Sequence, residues 1–308
     1  MNSHLRAVLQ ALFVTFLWST SWVLIKIGLS DIPALTFAGL RYCLAFVFLL
    51  VYVRGSLRAL YGRSRRLWVR LIALGLVYYS VTQGTQFIGL SYLPAATVTL
   101  LLSFSAMVAM LLGMWLLKEH PTRQQVAGMA IYLVGVVVYF YPAVLPPGQV
   151  IGVVVVLIGV LANAYSAVLG RDINRSGDLP PALVTTVSMG FGAPVMLIAG
   201  IAAQGLPTLS ASNWLIIAVL ALVNTAFAFT VWNQTLRTLT ATESSVINNM
   251  MLIQIPILAW IFLGETISAQ QAAGMALAGA GILVVQVRRG AVSAQPSAIS
   301  EEAATGIE

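Results

Sequence analysis

The sequence predicts an all-α integral membrane protein with ten transmembrane helices, arranged as two inverted five-helix repeats. Three observations carry that prediction. Of 308 residues, 59% are hydrophobic and only 8% are charged, whereas about a quarter of the residues in a soluble domain carry charge. The apolar residues fall into stretches of about 20, the length a helix needs to cross a hydrocarbon core of about 30 Å. Finally, the chain contains one segment twice. Leu116–Val138 aligns without a gap on Phe262–Val284, with Glu119/Glu265, Gln124/Gln270, Gln125/Gln271, Gly128/Gly274, Met129/Met275 and Gly135/Gly281 in register. Internal repeats inside near-continuous apolar sequence are characteristic of secondary transporters.

The spans read, in order, as residues 6–29, 34–53, 67–90, 94–117, 123–141, 149–170, 180–203, 212–236, 240–263 and 268–287. The first is too long for a signal-peptide core and is expected to remain in the mature chain. Turn residues punctuate the short connections, as at Tyr141-Pro142 through Pro146-Pro147-Gly148 and at Gly177-Asp178-Leu179-Pro180-Pro181. The first repeat is assigned to residues 1–145, the second to 146–288, and residues 289–308 to a disordered cytoplasmic tail. Cys43 is the single cysteine and sits in the second span, so no intramolecular disulfide can form and ordinary packing is expected.

The net charge of +7 is distributed by side. With the N-terminus inside, alternate loops collect Arg6, then Arg54, Arg58, Arg63, Arg65, Arg66 and Arg70, then Lys118 and Arg123, Arg171 and Arg175, Arg237, and Arg288 with Arg289. Of the 16 basic residues only Lys26 and Arg41 fall elsewhere. Lysine and arginine bias sets orientation, so both termini are expected to be cytoplasmic and the protein a multi-pass component of the cell (plasma or inner) membrane. The basic charge therefore needs no nucleic acid to account for it.

An odd number of spans per repeat forces the halves into opposite orientations. Glu119 should then lie at the cytoplasmic surface and Glu265 at the outer one. Inverted halves have two near-degenerate packings, one open to each side, with a substrate site between them near the midplane. The repeated segment itself reads as structure. Thr122 and Ser268 are placed as N-caps, and Gln125 and Gln271 complete capping boxes where helices enter the membrane. Gly128 and Gly135, like Gly274, Ala278 and Gly281, share a face that permits close helix contact. Glu119 and Glu265 read as cap partners or interfacial anchors rather than ligands.

At this point the sequence resembles the drug/metabolite transporter superfamily, specifically its EamA-type branch. The resemblance covers residues from about 8 to 287. It rests on the ten-span repeat, Trp18-Ser19…Lys26 in helix 1, Arg41 in helix 2, the segments Glu119-Gln125-Gly128 and Glu265-Gln271-Gly274, and Pro256. One departure is that Ser103-Phe104-Ser105 and its surroundings lack a proline matching Pro256. The resemblance implies a carrier of small solutes, among which members export amino acids, amines and other metabolites, and some carry drugs.

Polar and aromatic residues within spans should face the bundle interior or a wet cavity, because lipid exposure is costly. Helix 1 presents Thr15, Trp18, Ser19, Trp22 and Lys26 along one face. Helix 3 presents Tyr79, Thr82, Gln83 and Gln86, with Tyr78 beside them, and helix 4 offers Ser103. In the second half come Asn163 and Ser166 on helix 6, Asn224, Trp232 and Asn233 on helix 8, and Asn248, Asn249 and Gln254 on helix 9. The candidate substrate-binding set is Trp18, Ser19, Trp22, Lys26, Arg41, Tyr79, Gln83, Gln86, Ser103, Asn163, Ser166, Asn224, Trp232, Asn248 and Asn249. Against each stands a structural reading, since hydroxyls and amides also join helices at roughly 0.6 kcal/mol per bond. Trp115 and Trp214, near span ends, read as interfacial belt residues, and the Met107, Met110, Met114 row as packing. Lys26 can snorkel to the outer headgroups. Arg41, two turns into helix 2, needs carbonyls, a water-filled cavity or a ligand.

No Asp or Glu lies in the middle of a span; Glu243, at the start of helix 9, comes nearest, and His4 and His120 fall outside. An intramembrane enzyme would need a nucleophile with a base, or metal ligands, at membrane depth, and none is visible. No metal or cofactor is expected. A central carboxylate exchanging a proton for an organic cation is likewise missing. The residues that remain suit a zwitterion or neutral polar solute, with tryptophan and tyrosine able to stack on its side chain. The expectation is an alternating-access exporter of small metabolites, above all amino acids or related zwitterions, working by facilitated diffusion or weakly coupled exchange. The alternative is a drug or organic-cation exporter of the same fold. Its expected partners are a small-molecule substrate and the lipid bilayer, and the protein is expected to be a monomer or homodimer.

Overall fold

A computed structural model describes residues 3–105, 107–108, 111–112, 122–141, 146–175, 177–235, 238–239, 244 and 247–286. Ten helices run through the described residues. They are α1 (Ser3–Gly28), α2 (Ala34–Val53), α3, α4 (Ala95–Ser103), α5 (Arg123–Phe140), α6 (Pro147–Arg175), α7 (Pro181–Gln204), α8, α9 (Met251–Leu263) and α10 (Ala269–Gln286). Two of them change pitch midway. α3 runs as Arg65–Gly75, a π-helical stretch Leu76–Thr82, and Gln83–Tyr92; α8 runs as Ala211–Ala221, a π-helical stretch Leu222–Phe227, and Ala228–Thr235. Trp115, Met110, Met114, Lys118, Glu119, His120, Arg237, Glu243, the residue 289–308 tail and the side chain of Asn233 lie outside the described residues.

Helix ends follow local chemistry. Pro33, Pro94 and Pro180 precede α2, α4 and α7 in extended conformation, as expected where a ring fixes φ and no amide proton is needed. Thr122 and Gln125 form the anticipated capping box on α5. Ser268 and Gln271 do the same for α10, with Gln271 N–H donating to Ser268 Oγ at 3.1 Å and Ser268 N–H to Gln271 Oε1 at 2.9 Å. Gly264, at φ 66°, ends α9 in the left-handed conformation that a side chain would resist.

Six segments are long and apolar enough to cross a membrane by length and composition, among them His4–Gly28, Gly148–Asn174 and Pro181–Gln204. Ile247–Leu263 and Ala269–Val285 are apolar but shorter. The outer surface of the bundle is itself apolar. Ile198, Leu215 and Phe262 are 67%, 64% and 65% exposed, an arrangement that water would penalise and lipid would not. Beneath it, Trp22, Ile25, Phe37, Phe87, Leu90, Ile217 and Ile255 form the central core.

The two halves are related by a pseudo-dyad. α5 lies on α10 with the chains antiparallel: a Cβ built at Gly128 would stand 2.7 Å from the Gly281 carbonyl oxygen, and one at Gly281 2.6 Å from that of Gly128. Gly135 and Gly274 face each other in the same reciprocal way. Gln124 Nε2 donates to Val284 O at 2.9 Å and Gln270 Nε2 to Val138 O at 2.8 Å. A shift of 146 residues carries the first bond onto the second, 124 to 270 and 138 to 284. Such an isologous contact between antiparallel elements is what a two-fold relation between inverted repeats produces. The larger of the remaining pairings obey the same operator. α2 pairs with α7; α1·α9 answers α4·α6, α3·α7 answers α2·α8, and α3·α6 answers α1·α8. The π-helical stretches also correspond, Leu76 mapping on Leu222.

Candidate functional site

A cavity of about 530 Å³ lies between the halves, walled by α1, α2 and α3 of the first and by α8 and α9 of the second. That volume lies in the range of small-molecule pockets, roughly 300–1,000 Å³. Trp18, Ser21 and Trp22 line it from α1, spaced so that they share a helical face. Arg41 and Tyr42 enter from α2, Tyr78, Gln83 and Gln86 from α3, Asn224, Phe229 and Trp232 from α8, Met251 from α9, and Asn248 from the helical residues 247–249 just before α9. Ser244 completes the wall.

Arg41 is the charged side chain among the described lining residues, and it is only 5% exposed. Its Nε and Nη2 both donate to Thr225 Oγ1, each at 3.2 Å. That hydroxyl donates in turn to Leu220 O at 2.8 Å, five residues back, a reach supplied by the π-helical stretch. The guanidinium carbon stands 5.0 Å from the Tyr42 ring centroid and 6.0 Å from that of Phe87. A guanidinium has five N–H donors in a fixed fork. Among the described residues no carboxylate meets it, and its neighbours there are a hydroxyl and two ring faces.

The other end of the cavity is aromatic. Trp18 packs 5.4 Å from Phe229 and 5.2 Å from Trp232, centroid to centroid, with the rings tilted. Between the two ends Tyr42 donates its hydroxyl to Gln83 Oε1 at 2.7 Å. Asn224 is held to α1, donating to Leu17 O and, at 3.2 Å, to Thr20 Oγ1.

Of the residues expected to bind solute, Trp18, Trp22, Arg41, Gln83, Gln86, Asn224, Trp232 and Asn248 reach this cavity. Seven others have different surroundings, each for a local reason. Ser19 Oγ lies 2.8 Å from both Thr15 O and the side-chain amide of Gln254, joining α1 to α9. Lys26, further along the α1 face, lies 3.7 Å from Glu265. Tyr79 is buried beside the cavity, with its ring against Tyr42 and Tyr78. Ser103 bonds Leu100 O and the Tyr132 hydroxyl, Asn163 donates to Ser105 Oγ, and Ser166 returns to Asn163 O. Asn249 follows Asn248 by about 100° of helical rotation and so turns to an apolar groove between α9 and α10. Ser21, Tyr42, Phe229, Ser244 and Met251 line the cavity although sequence reading did not select them. Helical spacing was a usable signal for three of them: Ser21 from Trp18, Phe229 from Trp232, Met251 from Asn248.

An all-α bundle of two inverted halves with a polar and aromatic hollow between them defines a membrane carrier class. The EamA-like transporter family matches the chain twice, over residues 5–141 and 150–287. The chain belongs to that family, and it is a multi-pass membrane protein of the transporter class. A probable amino-acid metabolite efflux pump of Salmonella typhimurium is 30% identical over 129 residues, 42% of this chain and 40% of that one. A S-adenosylmethionine/S-adenosylhomocysteine transporter of Chlamydia trachomatis is 30% identical over 127 residues, 40% of this chain and 38% of its own. In both, the match spans less than half of the relative's length. The uncharacterized transporter YoaV of Bacillus subtilis is 24% identical over 303 residues, covering 91% of this chain and 96% of its own. A solved crystal structure superposes with a TM-score of 0.64 at 21% identity, over 91% of this chain and 97% of the other, which is a likeness of fold.

Proposed function

We propose that this transporter exports amino acids or closely related small zwitterions by alternating access, with the central cavity as the solute site. The observation that carries the reading is Arg41: a buried guanidinium at the cavity wall whose described polar partner is one hydroxyl. Planar donors of this kind match a carboxylate two-to-two, which a lysine would not. The amides of Gln83, Gln86 and Asn248 suit the solute's ammonium, and the Trp18–Phe229–Trp232 cluster offers faces to a cation or an apolar side chain. A permanent organic cation would meet the charge of Arg41, so the zwitterion is preferred over a cationic drug. The name of the Salmonella relative supports the same class.

In this reading the solute carboxylate replaces water on Arg41, and the halves then rock about the α2·α7 and α5·α10 contacts that lie on the pseudo-dyad. The arginine bias supports an orientation with these ends of α2 and α3 toward the cytoplasm, the Lys26–Glu265 pair then belonging to the outer side. No carboxylate among the described residues lines the cavity, which favours facilitated diffusion or exchange over obligatory proton coupling.

The test is counterflow in proteoliposomes loaded with a mixture of unlabelled amino acids. Amino acids are expected to compete with a radiolabelled one, while the amines made by removing their carboxylates compete at least tenfold more weakly. Flux is expected without a pH gradient. Equal competition by decarboxylated amines would remove Arg41 from the site, and a strict proton requirement would remove the coupling assignment.

A further inference from the structure

The connection between α2 and α3 carries more positive charge than the described acidic residues neutralise. α2 passes directly into a 3₁₀ helix, Arg54–Leu60, and α3 begins at Arg65 after a turn at Gly62, φ 71°. Six arginines fall between Arg54 and Arg70. Two have acidic partners on the second half: Arg63 donates to Asp178 Oδ1 at 3.2 Å and to Asp178 O at 2.7 Å, and Arg70 pairs with Asp172. Arg54, Arg58, Arg65 and Arg66 are exposed and meet no carboxylate among the described residues. No acidic residue stands in the first turn of α3, so Arg65 and Arg66 add to the positive end of the helix dipole rather than offset it.

The apolar side of the same segment is tied down. Leu57, Ala59 and Leu60 pack against a core cluster containing Val53, Leu67, Leu71, Ile173 and Leu183. The charges are therefore held at one end of the bundle, where α2 ends. Tyr61, 83% exposed, stands among them, a residue type that favours the headgroup layer.

We propose that Arg54, Arg58, Arg65 and Arg66 form a docking surface for anionic phospholipid headgroups of the adjacent leaflet. Charge complementarity selects the occupant: four exposed guanidiniums that meet no carboxylate among the described residues, held at the end of α2 beside an exposed tyrosine. Phosphate oxygens match the guanidinium fork, and each basic residue near an anionic surface contributes about a fivefold preference, the equivalent of roughly 1 kcal/mol. The surface fixes the depth and tilt of α2 and α3, the helices that carry Arg41 and Gln83 into the cavity.

The full-length protein with Cys43→Ala and Tyr61→Cys, labelled at position 61 with a fluorophore, is reconstituted in bilayers. Quenching by spin-labelled phosphatidylglycerol is compared with quenching by spin-labelled phosphatidylcholine. At least a tenfold preference for phosphatidylglycerol is expected at low salt, falling to within twofold at 1 M salt, where screening is strong. Replacing the four arginines by glutamine should abolish the preference, and replacing them by lysine should keep most of it. Equal quenching by the two lipids at low salt, or a preference unchanged in the folded glutamine variant, overturns the proposal. So does its removal by millimolar inorganic phosphate, which would identify a free anion as the occupant. The salt arm needs no arginine variant to fold.

Discussion

Glu265, in the turn between α9 and α10, ties together three elements at the end of the bundle remote from the arginine cluster. Both its carboxylate oxygens accept the Ala95 N–H that opens α4, at 3.0 and 2.9 Å, and Lys26 Nζ of α1 lies 3.7 Å from Oε1. The repeated glutamate thus serves as a helix cap with a cationic partner, and the lysine does not run free to the headgroups.

Glu265→Gln keeps the shape of the cap but removes its charge and leaves Lys26 without a counterion. A loss of about 1–2 kcal/mol is expected for charge-assisted bonds of this kind, read as a lower Tm in detergent. Lys26→Met combined with Glu265→Gln should cost less than the sum of the single changes, because the pair couples. Strict additivity would show that the two residues act independently.

Arg41 separates a structural from a solute-binding role by its effect on stability. Arg41→Gln should reduce amino-acid flux to the level of empty liposomes while Tm stays level or rises, since a buried unpaired charge is removed. Arg41→Lys keeps the charge but not the fork, and at least a tenfold fall in flux is expected. A large fall in Tm with flux per folded molecule intact would assign the residue to structure.

Trp18→Ala opens the aromatic end. The half-saturating concentration for phenylalanine or tryptophan should rise about tenfold, in line with the 0.5–1.5 kcal/mol of an aromatic pair plus lost burial. Glycine, which has no side chain to stack, should be carried almost as before. A uniform effect on both would place Trp18 in general packing of the cavity wall.

The α5·α10 contact leaves no space for side chains. Gly135→Leu would drive a branched side chain into the Gly274 and Ala278 backbone, with an expected cost of about 3 kcal/mol or more. The protein should lose its monodisperse peak in size-exclusion chromatography. Gly148→Ala, where nothing lies within 4 Å, serves as the neutral control.

Much of this fold is legible in the sequence because lipid is an exacting solvent. The capping residues Gln125 and Gln271 and the small residues at Gly128, Gly135, Gly274 and Gly281 follow from local rules, and their contacts lie where those rules put them. The bonds of Gln124 and Gln270 across to the facing helix were not foreseen. The cavity is less legible. Trp18, Trp22 and Arg41 stand out because such residues are costly in lipid, yet the same cost applies to Ser103, Asn163 and Ser166, which satisfy it with hydrogen bonds between or within helices. Polarity within a span says that a partner exists, not whether that partner is a helix or a solute. Asn248 and Asn249 make the point most simply, being neighbours of one chemistry that line different hollows.

The π-helical stretches lay beyond sequence reading, because each is set by one surplus residue within an otherwise regular helix. They occupy matching positions, Leu76–Thr82 and Leu222–Phe227, and each contains a threonine hydroxyl bonded five residues back. If either stretch kept its residues but wound as ordinary α-helix, everything beyond it would swing by about 100°. Gln83 and Gln86 would leave the hollow in one case, Phe229 and Trp232 in the other. The lining of this carrier is thus aimed by two register offsets in its backbone.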